Sequence, residues 1–215
     1  MKKLKLTQDG INGLIGVERV VVKATVQGVG CNDVQFQIKI DGKHIWQYQL
    51  WKSMMDRCFD AKYKQRYPTY ENVTCCDEWL SFANFLEWVN KEVEYKGKPV
   101  GLALDKDILV KGNKTYSPDV CRFVPQAVNS LLLDSGATRG IYPVGVCFDK
   151  GCGKFVAYLK CFGKLKHLGL FLTPEDAFAA YKVAKEAQIK VVALRHKDVL
   201  KPAVFESLMS WEIEP

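Results

Sequence analysis

The chain has 215 residues, with 31 Lys/Arg against 24 Asp/Glu for a formal charge of +7 at pH 7, and 48% of it is hydrophobic. That length allows one large domain or two small ones, and the hydrophobic share is ordinary for a globular protein. No apolar run approaches the roughly 18–20 residues of a membrane span, and Glu18-Arg19 breaks the apolar stretch after the basic start, which argues against a secretory signal and against a membrane as partner.

Residues 1–44 make a β-rich segment, in which Val20–Val26 and the alternating Val34–Ile40 read as strands and Asp41-Gly42 as a tight turn. The Val-rich stretch 18–40 carries no motif; it fits simple sheet packing, or a surface for a protein partner or a second copy. Ile45–Phe59 is helical in pattern, with Trp46, Leu50, Trp51, Met54 and Cys58 on one face, and a Tyr-rich loop (60–72) follows. A second helix covers Asp77–Val89, with Asp77 as N-cap and Trp79, Phe82, Leu86 and Val89 at helical spacing, a core pattern. Leu102–Val110 is a strand candidate, Lys111–Lys114 a turn, and Gln126–Leu133 a short helix. The small polar run 134–140 (DSGATRG) is the best linker in the chain. Beyond it come three strands, Tyr142–Asp149, Gly153–Lys160 and Lys164–Phe171, then a helix opening at Thr173-Pro-Glu-Asp. Pro202 ends this unit, and the tail 202–215 forms a short helix that docks back.

The excess positive charge is local. Residues 150–201 hold eleven Lys/Arg against four Asp/Glu, while the rest of the chain carries 20 of each. A concentration of this kind suits a polyanion, because neutralised phosphates release condensed counterions. It also suits a solvated face that keeps a small domain soluble. The eight cysteines (31, 58, 75, 76, 121, 147, 152, 161) form no C-x-x-C pair and no zinc spacing, so they read as reduced small hydrophobes of a cytoplasmic protein, with no structural zinc.

Two resemblances give these segments a function. Gly145-Val146, Gly153-Lys154-Phe155-Val156-Ala157, His167-Leu168-Gly169, Phe171, Thr173–Ala177 and Ala180-Tyr181 occur in the order seen in AP2/ERF domains, and residues 141–201 resemble such a domain. The resemblance implies a three-stranded antiparallel sheet packed on one helix, with its free face in the major groove of double-stranded DNA. Carried over, that face holds Val144, Cys147, Asp149, Tyr158, Lys160, Leu165 and His167. Val146, Phe148, Phe155, Ala157 and Leu159 take the helix side by alternation. Plant members place arginines where this chain has Cys147, Asp149 and Leu165, so Arg-to-guanine readout is largely missing. The DNA-binding set is then Cys147, Lys150, Lys154, Tyr158, Lys160, Lys164, Lys166 and His167, with the lysines on phosphates.

Trp51-x-x-Met54-x-x-Arg57-Cys58, Cys76-Asp-Glu-Trp79-x-x-Phe82, Leu104-Asp-Lys-Asp107 and Tyr116–Phe123 make residues 45–133 resemble the HNH-like homing endonucleases of phages, which often carry an AP2 domain behind them. The resemblance implies a strand–strand–helix grip on one divalent metal and a histidine base. That histidine falls at Lys106 or Asp107, the middle ligand at Tyr116 and the last at Val120, and none of the three histidines (44, 167, 196) lies there. The retained polar groups are Asp105, Asp107, Asn113, Asp119 and Arg122. The fold expected is α+β: a small β segment, a degenerate HNH-like core with flanking helices, and the AP2-like sheet and helix. Two functions are open. One is a DNA-nicking endonuclease in which Asp105 and Asp107 hold Mg²⁺ or Mn²⁺ beside Lys106. The other is a non-catalytic DNA-binding regulator or blocker that keeps the core as a platform. A phage origin would put either in the cytoplasm of an infected bacterium.

Overall fold

The computed structural model describes residues 26–93, 101–132 and 141–215. Within them the chain is a mixed α+β protein with helices α1 Trp46–Phe59, α2 Ala61–Arg66, α3 Phe82–Glu92, α4 Gln126–Leu131, α5 Pro174–Arg195 and α6 Pro202–Met209. Its strands are β1 Lys39–Ile40, β2 Lys43–His44, β3 Thr74–Cys75, β4 Leu102–Asp105, β5 Thr115–Tyr116, β6 Arg122–Pro125, β7 Val146–Asp149, β8 Lys154–Cys161 and β9 Lys164–Phe171. Two compact units divide between Phe123 and Val124, so α4 groups with the C-terminal one. The expected linker, and all but the last residue of the strand expected at 20–26, lie outside the described residues. Among those residues no helix is long and apolar enough to cross a membrane.

The N-terminal unit is built on aromatic packing. Trp51, Met54 and Met55 of α1 and Phe82, Phe85 and Val89 of α3 are fully buried with Trp79. Trp51 donates its indole N–H to the Trp79 carbonyl at 2.7 Å, satisfying a polar group that burial would otherwise strand. The expected strand Val34–Ile40 is reduced to Lys39–Ile40, which pairs with β2 across the Asp41-Gly42 turn. The expected cap at Asp77 is also displaced. Residues Asp77–Leu80 form a 3₁₀ turn, and α3 starts after Ser81, whose hydroxyl accepts from the Asn84 amide (3.1 Å). Buried Asp33 fixes this choice: its carboxylate accepts from the Ser81 hydroxyl (2.6 Å) and the Ala83 amide (2.8 Å), at the positive end of the helix.

In the C-terminal unit β7, β8 and β9 form one antiparallel sheet in that order, and α5 packs on it. Ala157 and Leu159 from β8 and Ala177 and Tyr181 from α5 make the buried centre, with Val144, Val146, Phe155, Leu168 and Phe171 around it. Small side chains at 157 and 177 let the layers approach. The tail docks as expected, with the Ile213 amide on Glu186 at 2.9 Å and α6 packed on α5. Gly145 sits at φ +78°, and a Cβ there would lie 2.1 Å from the Tyr181 ring. Gly145→Ala is therefore expected to destabilise this unit by at least about 3 kcal/mol, combining overpacking with a left-handed backbone. A urea midpoint within error of wild type would contradict the packing described.

Candidate functional site

Two regions bear on function, one in each unit. In the first, Asp105 ends β4 and is 7% exposed. Its Oδ1 accepts the amides of Asp107 (2.9 Å) and Ile108 (2.7 Å), so the carboxylate closes a turn of its own backbone. Lys106, also buried, places Nζ 3.0 Å from Asp107 Oδ2 and 2.9 Å from the Asn113 carbonyl. Asn113 completes the loop with its amide on the carbonyls of Lys106 and Thr115, both at 2.7 Å. Tyr116 is buried and accepts from Arg57 at 3.1 Å, while Arg122 donates to the carbonyls of Pro118 and Cys121. Val120 is half-buried and Asp119 exposed.

Asp105, Lys106 and Asp107 are thus brought together, but they hold one another and the loop. An ammonium already occupies the position beside Asp107, and one Asp105 oxygen is committed to two amides. Among the described residues no group of three or more His, Cys, Asp or Glu side chains is arranged to hold a metal. The donors present do not fit the divalent ion that the nuclease resemblance implies. Burial, and then the neighbouring Asp107 charge, push the Asp105 carboxyl up to about 6.

The second region is the sheet face turned away from α5. Register pairs Cys147 with Val156 and Val156 with Leu170, Tyr158 with His167, Lys160 with Leu165, and Asp149 with Lys154, so these residues share the open face. Cys147, Lys154, Lys160, Leu165, His167 and Leu170 are exposed; Tyr158 is half-buried and stands edge-on to His167 at 5.5 Å. Lys150 is exposed in the β7–β8 turn, whose shape Asp149 holds by accepting the Gly151 amide at 2.8 Å. Lys164 and Lys166 are exposed as well, but they pair with Cys161 and Leu159 and so take the helix side of the sheet at its edge.

The face carried over from the resemblance and simple alternation each miss something here. The carry-over put Val144 on the open face, but it packs with the helix-side core beside Val146, the side its parity gives. Leu170 joins the open face because the register slips between Ala157 and Tyr158, leaving Leu168 as the extra residue of a bulge in β9. The same slip turns Phe171 inward. Val156 also lies on this face, yet is only 2% exposed.

All eight cysteines are free. Cys58 and Cys121 are buried as expected of small hydrophobes, and burial pushes the Cys121 thiol up to about 12. Cys147 and Cys152, by contrast, are exposed on and beside the open face.

No protein-family model matches the chain, and no curated protein or solved structure matches it either. The functional reading therefore stands on the residues and their geometry.

The turn at Asp105 has a pH signature. Its folded pKa lies above the unfolded value near 3.9, so its relative stabilisation is full below about pH 4 and lost as pH rises through about 6. Asp105→Asn keeps an oxygen for both amides and removes the charge. Its stability relative to wild type should rise between pH 4 and pH 7 in urea unfolding; a difference that stays constant or falls would contradict this role.

Proposed function

We propose that the chain binds double-stranded DNA through the open face of the sheet β7–β9, with the N-terminal unit as a non-catalytic platform. The observation that carries this reading is the layout of charge on that face. Lys150 and Lys154 flank the β7–β8 turn at one end, and Lys160 stands at the other end next to the β8–β9 turn, with Lys164 beside it at the edge. Six residues of extended strand separate Lys154 from Lys160, about 20 Å at ~3.3 Å per residue. Between them the exposed or half-buried side chains Cys147, Tyr158, His167, Leu165 and Leu170 are uncharged, Val156 is covered, and exposed Asp149 opposite Lys154 sets one acidic group at the turn end of the face. A major groove is about 12 Å wide and admits a β-ribbon, so cations at both ends reach the phosphate rows on either side of it. The uncharged centre then meets base edges and thymine methyl groups. Absence of arginine from this centre favours modest sequence discrimination over tight single-site recognition.

The core of the N-terminal unit supports the platform role for a separate reason. Asp105, Lys106 and Asp107 are consumed by their own loop, and Tyr116 and Val120 supply no base or ligand at the positions where the nuclease resemblance needs them. One feature favours the endonuclease reading: a buried carboxyl near 6 is a better base at neutral pH than an ordinary aspartate. Supercoiled plasmid incubated with Mg²⁺ or Mn²⁺ separates the two. We expect no nicking; nicking abolished by Asp105→Ala with Asp107→Ala would make the chain an enzyme.

DNA binding is tested by salt dependence. Lys154→Ala with Lys160→Ala should weaken binding to a mixed-sequence duplex and reduce the slope of log K against log salt by about 2, since each neutralised phosphate contributes about 0.9. Lys166→Ala, on the other side of the sheet, should change the slope less than either single substitution. An unchanged slope in the double variant would remove the sheet face from the account.

A further inference from the structure

Arg57, in the last turn of α1, is a half-buried cation whose partners among the described residues are phenols rather than carboxylates. Its Nη1 donates to the Tyr116 hydroxyl at 3.1 Å, and the Tyr63 hydroxyl is a second hydrogen-bond partner. The guanidinium carbon lies 5.6 Å from the centre of the Tyr70 ring, and Nε is buried with no hydrogen-bond partner among the described residues. Burial raises the Tyr116 phenol above its ordinary value, so that oxygen stays a neutral hydroxyl and brings no negative charge. The acids nearest in sequence are engaged elsewhere. Asp56 takes Lys52 (2.8 Å) and Gln27 (2.7 Å), and Asp60 accepts the amides of Lys62 (2.8 Å) and Tyr63 (3.2 Å) at the head of α2.

A cation drawn out of water without a counter-charge is costly, and proteins usually pair it. The surroundings of Arg57 add positive charge instead. Residues 57–70 hold Arg57, Lys62, Lys64 and Arg66 against Asp60 alone. Lys64 is half-buried too, and its Nζ rests on the carbonyls of Glu71 (3.0 Å) and Val73 (3.1 Å), not on a carboxylate. Ring contacts fix the phenols: Tyr63 stands 4.8 Å from Tyr67 and 5.6 Å from Tyr70. A phenol that accepts from a guanidinium still has its own proton to donate. Arg57 therefore sits among hydroxyls that can turn their protons toward one added oxyanion. Arg57, Tyr63, Lys64 and Tyr70 each keep some contact with solvent, so the cluster is not sealed. A planar guanidinium fork flanked by hydroxyl donors matches the several oxygens of a phosphate.

We propose that Arg57, with the hydroxyls of Tyr63, Tyr70 and Tyr116, binds a phosphate group, which supplies the negative charge this cluster lacks. The lysines and arginine of α2 raise the local potential that draws the anion in. The same phosphate chemistry is offered by the free ion and by a nucleotide, and for the latter the exposed Tyr67 ring beside Tyr63 is a stacking surface. All of these residues belong to the N-terminal unit, so the inference stands whether or not the sheet of the C-terminal unit binds DNA.

Calorimetric titration of the full chain tests it, with inorganic phosphate and a nucleoside 5′-monophosphate as separate probes and ionic strength held constant with chloride. Wild type should bind at millimolar concentration or below. Binding of both probes makes the free ion sufficient, and binding of the nucleotide alone identifies a nucleotide as the carrier. Tyr63→Phe keeps the ring and removes one hydroxyl, and should raise the dissociation constant about tenfold, the loss of one hydrogen bond to a charged group. Arg57→Met should abolish binding; if that variant does not fold, Tyr63→Phe and Tyr116→Phe decide the matter. Phosphate should also raise the urea midpoint of wild type, and raise that of Tyr63→Phe less. No binding of either probe by wild type, or an affinity indifferent to both Tyr→Phe variants, would overturn the proposal.

Discussion

The close seating of α5 on the sheet governs the C-terminal unit. Ala157 and Ala177 are small enough to let helix and sheet approach, and Gly145 leaves room for the Tyr181 ring. Gln188 adds a polar tie from α5, donating to the Lys160 carbonyl at 3.1 Å. The other face of the sheet leaves Cys147, Lys154, Lys160, Leu165, His167 and Leu170 to solvent, although Val156 on it is covered. The arrangement also fixes the direction in which Lys154, Tyr158, Lys160 and His167 point. A helix seated differently would bury some of them.

The hairpin turns show how the sequence sets the ends of that face. Phe162 and Gly163 both have positive φ, the geometry of a two-residue turn whose twist matches its strands. Glycine takes this conformation freely, but phenylalanine pays about 1 kcal/mol for it. Stacking of Arg195 on the Phe162 ring offsets part of that cost and ties the turn to the end of α5. At the other end, Asp149 shapes the turn that carries Lys150. The lysines at the two ends are thus positioned by local backbone chemistry that does not depend on a ligand.

Much of this was legible in the chain. The Thr173-Pro start of α5, the three strands before it and the Asp41-Gly42 turn follow from capping, alternation and turn residues. What escaped depends on contacts distant in sequence. Ser81 displaces Asp77 as the cap of α3 because Asp33, nearly fifty residues earlier, is folded against it. The bulge at Leu168 moves Leu170 to one face and Phe171 to the other, which a strict period of two does not anticipate. Asp105 carries the same composition whether it binds an ion or its own backbone. Only the positions of the amides of Asp107 and Ile108 and of the Lys106 ammonium distinguish these.

The central claim, that duplex DNA lies on the open face of β7–β9, is tested most directly by the reactivity of Cys147. This thiol is exposed in the uncharged middle of the face, while Cys58 and Cys121 are buried and serve as internal references. Maleimide labelling followed site by site by mass spectrometry should be fast at Cys147 in the free chain and strongly slowed by saturating duplex. Slowing that vanishes in the Lys154→Ala, Lys160→Ala variant at the same DNA concentration would complete the agreement. Labelling of Cys147 at an undiminished rate while the protein is demonstrably bound would contradict the account and place the DNA elsewhere.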